Sequence, residues 1–174
     1  MFFISRFSDT IRIPPKMFGK PLKKSAETIL QERYSSRIDP KSGFVISVDN
    51  IVMDGKGLVS MTGETIHKVE FDAITFLPTL HEIILGEVIE IADFGAFVRI
   101  GPTDAVLHVS QISSSPSRVD RKSGMIFNPD LKNPMRIGTR IRARITAASY
   151  GKDNSMKIGL TCNEQTLGPQ KTDN

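Results

Sequence analysis

The stretch Gly86-Glu-Val-Ile-Glu-Ile-Ala-Asp-Phe-Gly-Ala-Phe-Val-Arg-Ile-Gly101 decides the fold of the second half of the chain. Ile83, Leu85, Val88, Ile89 and Ile91 recur around Gly86 and mark a strand from Glu82 to Ile91. Asp93-Phe94-Gly95 is a turn, and Ala96 to Ile100 is a short second strand. Gly101-Pro102-Thr103-Asp104 turns the chain into a third, Ala105 to Val109. Thr139 to Ser149 alternates Ile141, Ala143 and Ile145 with Arg140, Arg142 and Arg144, the period of a half-buried strand. Gly151-Lys152-Asp153-Asn154 is a turn, and Met156 to Cys162 closes the set. Short antiparallel strands joined by glycine turns, five in about 80 residues, predict a small closed barrel of the oligonucleotide-binding kind. Residues 113–134, rich in proline and serine and without periodicity, read as a long insertion in it.

The chain divides near Leu77-Pro78-Thr79-Leu80, giving domains 1–80 and 81–174. Phe2 to Phe7 reads as a strand. Asp9-Thr10 then leads to Ile13-Pro14-Pro15, extended or turn-like because proline keeps the preceding residue out of α geometry. Pro21 is placed as the first residue of a helix running to Tyr34. Leu22, Ala26, Ile29 and Leu30 form its apolar stripe, with Lys23, Lys24, Gln31 and Glu32 outside it. Ser35 to Gly43 reads as a turn and Phe44 to Met53 as a strand. Asp54-Gly55-Lys56-Gly57 is a tight turn, with Gly63 shortly after. Thr65 to Leu77 is a last strand, with Ile66, Val69, Phe71, Ile74 and Phe76 apolar. The class is α+β: a small N-terminal α/β sandwich, one main helix on an antiparallel sheet, followed by a five-stranded OB-fold barrel.

Composition narrows the function classes. The 174 residues are 39% hydrophobic and 24% charged, which suits a folded domain and not a disordered one. No run approaches the ~18 apolar residues of a membrane-spanning helix. The start, Met1-Phe2-Phe3-Ile4-Ser5-Arg6, lacks the basic lead and long apolar core of a signal peptide. The one cysteine, Cys162, forms no internal disulfide, and with three scattered histidines it leaves no zinc cluster. A reducing, intracellular compartment is the expectation. The net charge of +4 says little. Its distribution says more: Arg118, Arg121, Lys122, Lys132, Arg136, Arg140, Arg142 and Arg144 meet only Asp120 and Asp130 across that segment. Such a field attracts polyanions, although a solvated loop and strand face accounts for it equally.

Phe94 and Phe97 flank a glycine-centred turn, and His108 lies on the following strand. Displayed outward, these rings make a stacking platform for bases of any sequence; turned inward, they are core. His67, His81 and His108 stand in unrelated contexts with no nucleophile nearby, and there is no GxxxxGK[ST] loop. The sequence therefore offers no catalytic residues, no cofactor and no metal site. Asp93 reads as a turn cap and Cys162 as a packing residue.

The full pattern resembles the S1 motif, an RNA-binding member of the oligonucleotide-binding barrels. The matching elements are Gly86-x-Val88, Asp93-Phe94-Gly95-Ala96-Phe97-Val98, Leu107-His108-Val109-Ser110, Gly138 before a strand, and Lys157-Ile-Gly-Leu-Thr161. The chain departs from the family at Ala105, where glycine is usual, and at Ser149, where an acid is frequent. The resemblance implies an RNA face of Phe94, Phe97, Arg99, His108, Arg142 and Lys157, with Arg144 as accessory. Ser8-Asp9-Thr10-Ile11-Arg12-Ile13-Pro14-Pro15, Phe18-Gly19, Val69-Glu70-Phe71-Asp72-Ala73 and Phe76-x-Pro78 resemble the N-terminal domain of the larger stalk subunit of archaeal and nuclear RNA polymerases, the E-prime family. This resemblance covers residues 1 to about 168 and keeps the domain order, with the Phe94–Pro102 phrase nearer archaeal members.

The resemblance implies a noncatalytic subunit of DNA-directed RNA polymerase. Its N-terminal domain would dock on the polymerase core, with a tip of Asp54, Gly55, Lys56, Gly57 and Gly63 at the base of the clamp. Those glycines serve an ordinary hairpin connection just as well. A smaller stalk subunit would pair with the chain as a heterodimer, and the barrel would meet nascent single-stranded RNA. The setting would be the archaeal cytoplasm and nucleoid, or the nucleus for a eukaryotic source, with no membrane partner. Competing readings are an accessory protein of the RNA exosome, which usually continues into a further domain beyond its barrel, and a translation initiation subunit, whose barrel leads its chain.

Overall fold

The computed structural model describes residues 1–35, 37–39, 41–151 and 155–170. The chain forms two compact units, Met1–Leu77 and the chain from Pro78 onward. In the first, β1 (Phe2–Ile13) is followed by a short 3-10 turn, α1 (Leu22–Tyr34), β2 (Ile38–Asp39), β3 (Gly43–Met53), β4 (Leu58–Val59) and β5 (Thr65–Phe76). The sheet order is β1-β5-β3-β2, all antiparallel, with β4 paired to β5.

β1 runs past the expected end at Phe7. All of Phe2–Ile13 pairs with Phe76–Thr65 without a break, so Ser8 to Ile13 continue the ladder. The helix covers one face of this sheet. Ile11, Ile13, Ala26, Leu30, Val45, Val69 and Phe71 are buried between them. Each large apolar side chain so placed contributes about 1.5–3 kcal/mol. Two helix details differ from the sequence reading. Pro21 is the residue before the first helical one, with φ −53°, and Leu22 is exposed. Ser25 is buried in its stead because its hydroxyl donates to the Met17 carbonyl at 3.1 Å. Gln31, off the apolar stripe, accepts the Val48 N–H at 3.2 Å beside a bulge in β3. The expected 35–43 turn contains β2, paired to the start of β3, while its Ser36 and Pro40 lie outside the described residues.

The second unit comprises β6 (Ile83–Ala92), β7 (Gly95–Arg99), β8 (Asp104–His108), β9 (Arg118–Asp120), β10 (Met125–Phe127), β11 (Met135–Arg136), β12 (Arg140–Tyr150), β13 (Met156–Thr161) and β14 (Gly168–Pro169). The order β13-β8-β7-β6-β12 closes through a β12–β13 pairing into a five-stranded barrel. Not every pairing is antiparallel as expected: β8 and β13 run parallel, Val106 opposite Gly159. β14 adds an edge to β12. Val88, Ala96, Val98, Ala105, Leu107, Ile141, Ala143, Ile145, Ile158 and Leu160 fill the barrel, the inward half of a period-two pattern. The 113–134 insertion is not irregular. β9, β10 and β11 form their own small sheet, whose Ile126 and Met135 are fully buried. Lys152, Asp153 and Asn154 of the expected turn lie outside the described residues.

Candidate nucleic-acid interface and docking surfaces

The β6–β7 turn is built by a close backbone approach. Gly95 stands opposite His108 with φ +148°, and an added Cβ would come within 3.0 Å of the His108 Cα. Phe94 accepts the Val109 N–H on its carbonyl at 2.8 Å, which fixes the turn against the end of β8. Phe94 is 43% exposed. Phe97 is half-buried on the outer side of β7. The two rings meet edge to face, centroids 5.6 Å apart and planes at 84°. His108 is exposed. Its Nδ1 accepts the Ser110 backbone N–H at 3.3 Å and lies 2.8 Å from the Ser110 hydroxyl. That bond puts the ring proton of the neutral imidazole on Nε2, as a donor available to a ligand.

Outward from Phe97 the register runs through Val106 on β8, Gly159 on β13 and Ala147 on β12. Val106 and Gly159 are half-buried and Ala147 is exposed in that row. Sequence reading passed over Val106 and Gly159, although the Lys157-Ile-Gly-Leu-Thr161 phrase contains the glycine.

The cations differ in what holds them. Arg99 Nε donates to Asp104 Oδ1 at 3.0 Å, and the side-chain hydrogen bond to Asp104, reinforced by its charge, raises the guanidinium pKa further. Arg144 Nη2 donates to Glu164 Oε2 at 2.8 Å, while its Nε is buried without a partner. Arg142 and Lys157 make no ion pair among the described residues and are exposed. Lys157 is opposite Ser149, on the wall shared by β12 and β13. Arg142 is opposite Leu85 and Gly168, in the part of β12 that pairs β6 and β14. The barrel thus gathers Phe94, Phe97, Arg99, His108 and Lys157 along β7, β8 and β13, and sets Arg142 apart. Asp93 is not a turn cap; its carboxylate accepts from Arg121 Nη1 at 3.0 Å. Burial pushes the Cys162 thiol up to about 12, so it stays protonated and packs. Among the described residues no three His, Cys, Asp or Glu cluster to hold a metal, and no helix is long and apolar enough to cross a membrane.

In the first unit, Asp54–Gly57 leads into β4, and the reversal itself spans Ser60–Glu64, closed by the Ser60 N–H on the Glu64 carbonyl at 2.8 Å. Only Gly63, at φ +79°, needs a left-handed backbone there. Gly57 serves a different purpose. Its Cα lies against the His67 ring, where a Cβ would stand 2.7 Å from Nε2. His67 is 5% exposed, and neither ring nitrogen has a partner. The residues the sequence reading missed are apolar: Leu58, Val59 and Met61 are fully displayed, Leu58 at 73%. Their signal was three large apolar side chains inside a glycine-rich turn. A second apolar surface lies on the sheet face away from α1, where Ile4 opposite Ile74 and Phe2 opposite Phe76 are exposed except for Phe76.

Comparison with known proteins agrees with both halves. Residues 8–63 match the SHS2 domain found in the N terminus of Rpb7p/Rpc25p/MJ0397, and residues 77–154 match the S1 RNA binding domain. The chain is 36% identical to DNA-directed RNA polymerase subunit Rpo7 of Saccharolobus shibatae over 97% of this chain and 94% of that one. It is 32% identical to Rpo7 of Sulfolobus acidocaldarius, over 97% and 92%. With DNA-directed RNA polymerase II subunit RPB7 of Saccharomyces cerevisiae it shares 30% over 59% and 61%. An SHS2 domain followed by an S1 barrel, matched end to end at this identity, makes the chain a member of the Rpo7 family of RNA polymerase stalk subunits.

Proposed function

We propose that this chain is the larger, noncatalytic stalk subunit of a DNA-directed RNA polymerase, acting inside the cell at the transcribing complex. Residues 1–80 dock on the polymerase core near the clamp, and residues 81–174 bind nascent single-stranded RNA. The observation that carries this reading is a match to Rpo7 over 94% of that subunit's length, both domains in the same order. A match of that extent favours this reading over the exosome and translation-initiation ones.

Each half has the chemistry for its role. The displayed Leu58, Val59 and Met61 beside the Asp54, Gly55, Lys56, Gly57 and Gly63 tip are apolar anchors for a protein groove. The apolar face with Phe2, Ile4 and Ile74 suits a permanent interface, such as one with the smaller stalk subunit. On the barrel, Phe94 and Phe97 stack bases, and Lys157 and His108 take phosphate or base acceptors. Arg99 and Arg144 contribute less positive field than their number implies, because each is already paired with a carboxylate. Purification of the tagged full chain tests the assignment: it recovers the polymerase core and one small partner, whereas recovery of exosome subunits overturns it.

A further inference from the structure

We infer that the insertion sheet carries a second single-stranded RNA contact, a base-stacking cleft against Phe127 with Arg118 at its rim. This rests on the proposed RNA-binding role of the barrel and extends it. In β9–β10 the register puts Arg118 opposite Phe127. Val119, Ile126 and Met135 take the other face, which is buried at Ile126 and Met135. The outward face therefore shows Phe127, exposed, directly opposite Arg118, with Arg136 displaced along the sheet to a position opposite Met125.

Phe127 opens onto a cleft of about 380 Å³ walled by Pro116, Pro129, Leu131 and Pro134. That volume lies in the lower range of small-ligand sites, about 300–1,000 Å³. Asn128 fixes the cleft. Its Nδ2 donates to the Ser115 carbonyl at 3.0 Å and to Ser117 Oγ at 2.7 Å, and its Oδ1 accepts the Asp130 N–H at 2.8 Å. Those bonds consume its amide, so the walls offer a flat apolar slot with no donor reserved for one base.

Charge identifies the occupant. Arg118, Lys122, Lys132 and Arg136 are exposed and make no salt bridge among the described residues. The nearby acids are outnumbered: Asp120, whose charge interacts with that of Arg118, and Asp130, which accepts the Ser113 hydroxyl, are two carboxylates against four cations. An aromatic ring in an apolar slot with Arg118 on its lining, in a segment rich in exposed cations, is an arrangement that holds an unpaired base and its phosphates. Arg121 bonds to Asp93, next to Phe94, so the hairpin end lies at the barrel platform. Arg118 is three residues back along the hairpin, about 10 Å at strand rise. One strand can run over both surfaces.

The full chain is titrated with labelled oligouridine and oligoadenine of about 6 and about 16 nucleotides, within the range one such barrel spans. Phe127→Ala weakens binding of the long oligonucleotides about fivefold or more, as loss of one stacked base requires, and leaves the short ones within about twofold. Phe127→Tyr keeps wild-type affinity. Arg118→Ala makes the salt slope shallower by about 0.7, one single-strand phosphate contact. The two base types respond alike. If Phe127→Ala leaves long-RNA binding unchanged while Phe94→Ala and Phe97→Ala lower it, the cleft is not an RNA site and the barrel reading stands. If the wild type binds neither length, the barrel reading itself fails. Loss of a protein partner in Phe127→Ala, with RNA binding intact, also overturns the inference.

Discussion

Replacing Gly95 by alanine perturbs the platform at the point where its geometry is set. The residue has φ +148°, and the new Cβ would sit 3.0 Å from both the His108 Cα and the Leu107 carbonyl carbon, and nearer still to that carbonyl oxygen. These obstacles are backbone of β8, held in the ladder with β7, and cannot swing aside as a side chain can. Backbone strain of about 1–3 kcal/mol adds to an overpacking cost of about 1–3 kcal/mol. The expected loss is about 2–6 kcal/mol, a large share of the 5–15 kcal/mol that typical domains possess. Gly124→Ala is the control. Gly124 is also left-handed, at φ +62°, but a Cβ there meets nothing within 4 Å. It should cost only about 1–2 kcal/mol of backbone preference. Urea titration followed by far-UV circular dichroism suits a chain with no Trp. The Gly95 variant should lose roughly 1–2 M in midpoint, at typical urea slopes. Equal losses in the two variants would mean that close approach to β8 does not hold the turn, and the account of the platform would be wrong.

Other consequences follow from single contacts. Phe94→Ala and Phe97→Ala should each weaken single-stranded RNA binding by about 1–3 kcal/mol, and the double variant by less than the sum, because the rings touch; fluorescence anisotropy measures all three. His67→Leu should leave stability unchanged or raise it by up to about 1 kcal/mol, since it removes a buried imidazole with two unpartnered nitrogens; a lower melting temperature would show that the ring has a partner role. Partial burial works against the charge of Asp9, but hydrogen bonds from Arg33, the Thr10 N–H and Tyr34 outweigh it and hold the carboxyl below its ordinary value. A depressed carboxyl stabilises the fold above the unfolded pKa near 3.9 and loses that contribution as pH falls through the folded value. Asp9→Asn should therefore cost about 1 kcal/mol at neutral pH and flatten the acid limb of a stability–pH curve; an unchanged limb would remove Asp9 from the account.

The barrel strands were legible because one side of each is sealed. Ile141, Ala143 and Ile145 alternate with arginines, and the structure buries the three. The parallel β8–β13 pairing was not legible, since it joins residues some fifty positions apart that no local pattern links. β1 was cut short at Phe7 because Ser8, Asp9, Thr10 and Arg12 mask the inward run of Ile11 and Ile13. The insertion sheet was hidden by strands of two or three residues among prolines, too short to show a period. At the site, the glycine-centred aromatic pair stood out in sequence. The neutralisation of Arg144 by Glu164 did not, because that contact depends on how the chain returns after β13. The apolar tip was not legible because Leu58, Val59 and Met61 form too short a run between glycines for any local pattern to tell a displayed side chain from a packed one.

The central claim is that the barrel of this polymerase subunit meets the transcript, and photo-crosslinking in a stalled elongation complex assembled with the full chain tests it most directly. With 4-thiouridine in the RNA that has emerged from the enzyme, the crosslink should map to the segment from Phe94 to His108 and decline in the Phe94→Ala/Phe97→Ala variant. A transcript that crosslinks to other subunits alone, with this chain present and bound, would contradict the account.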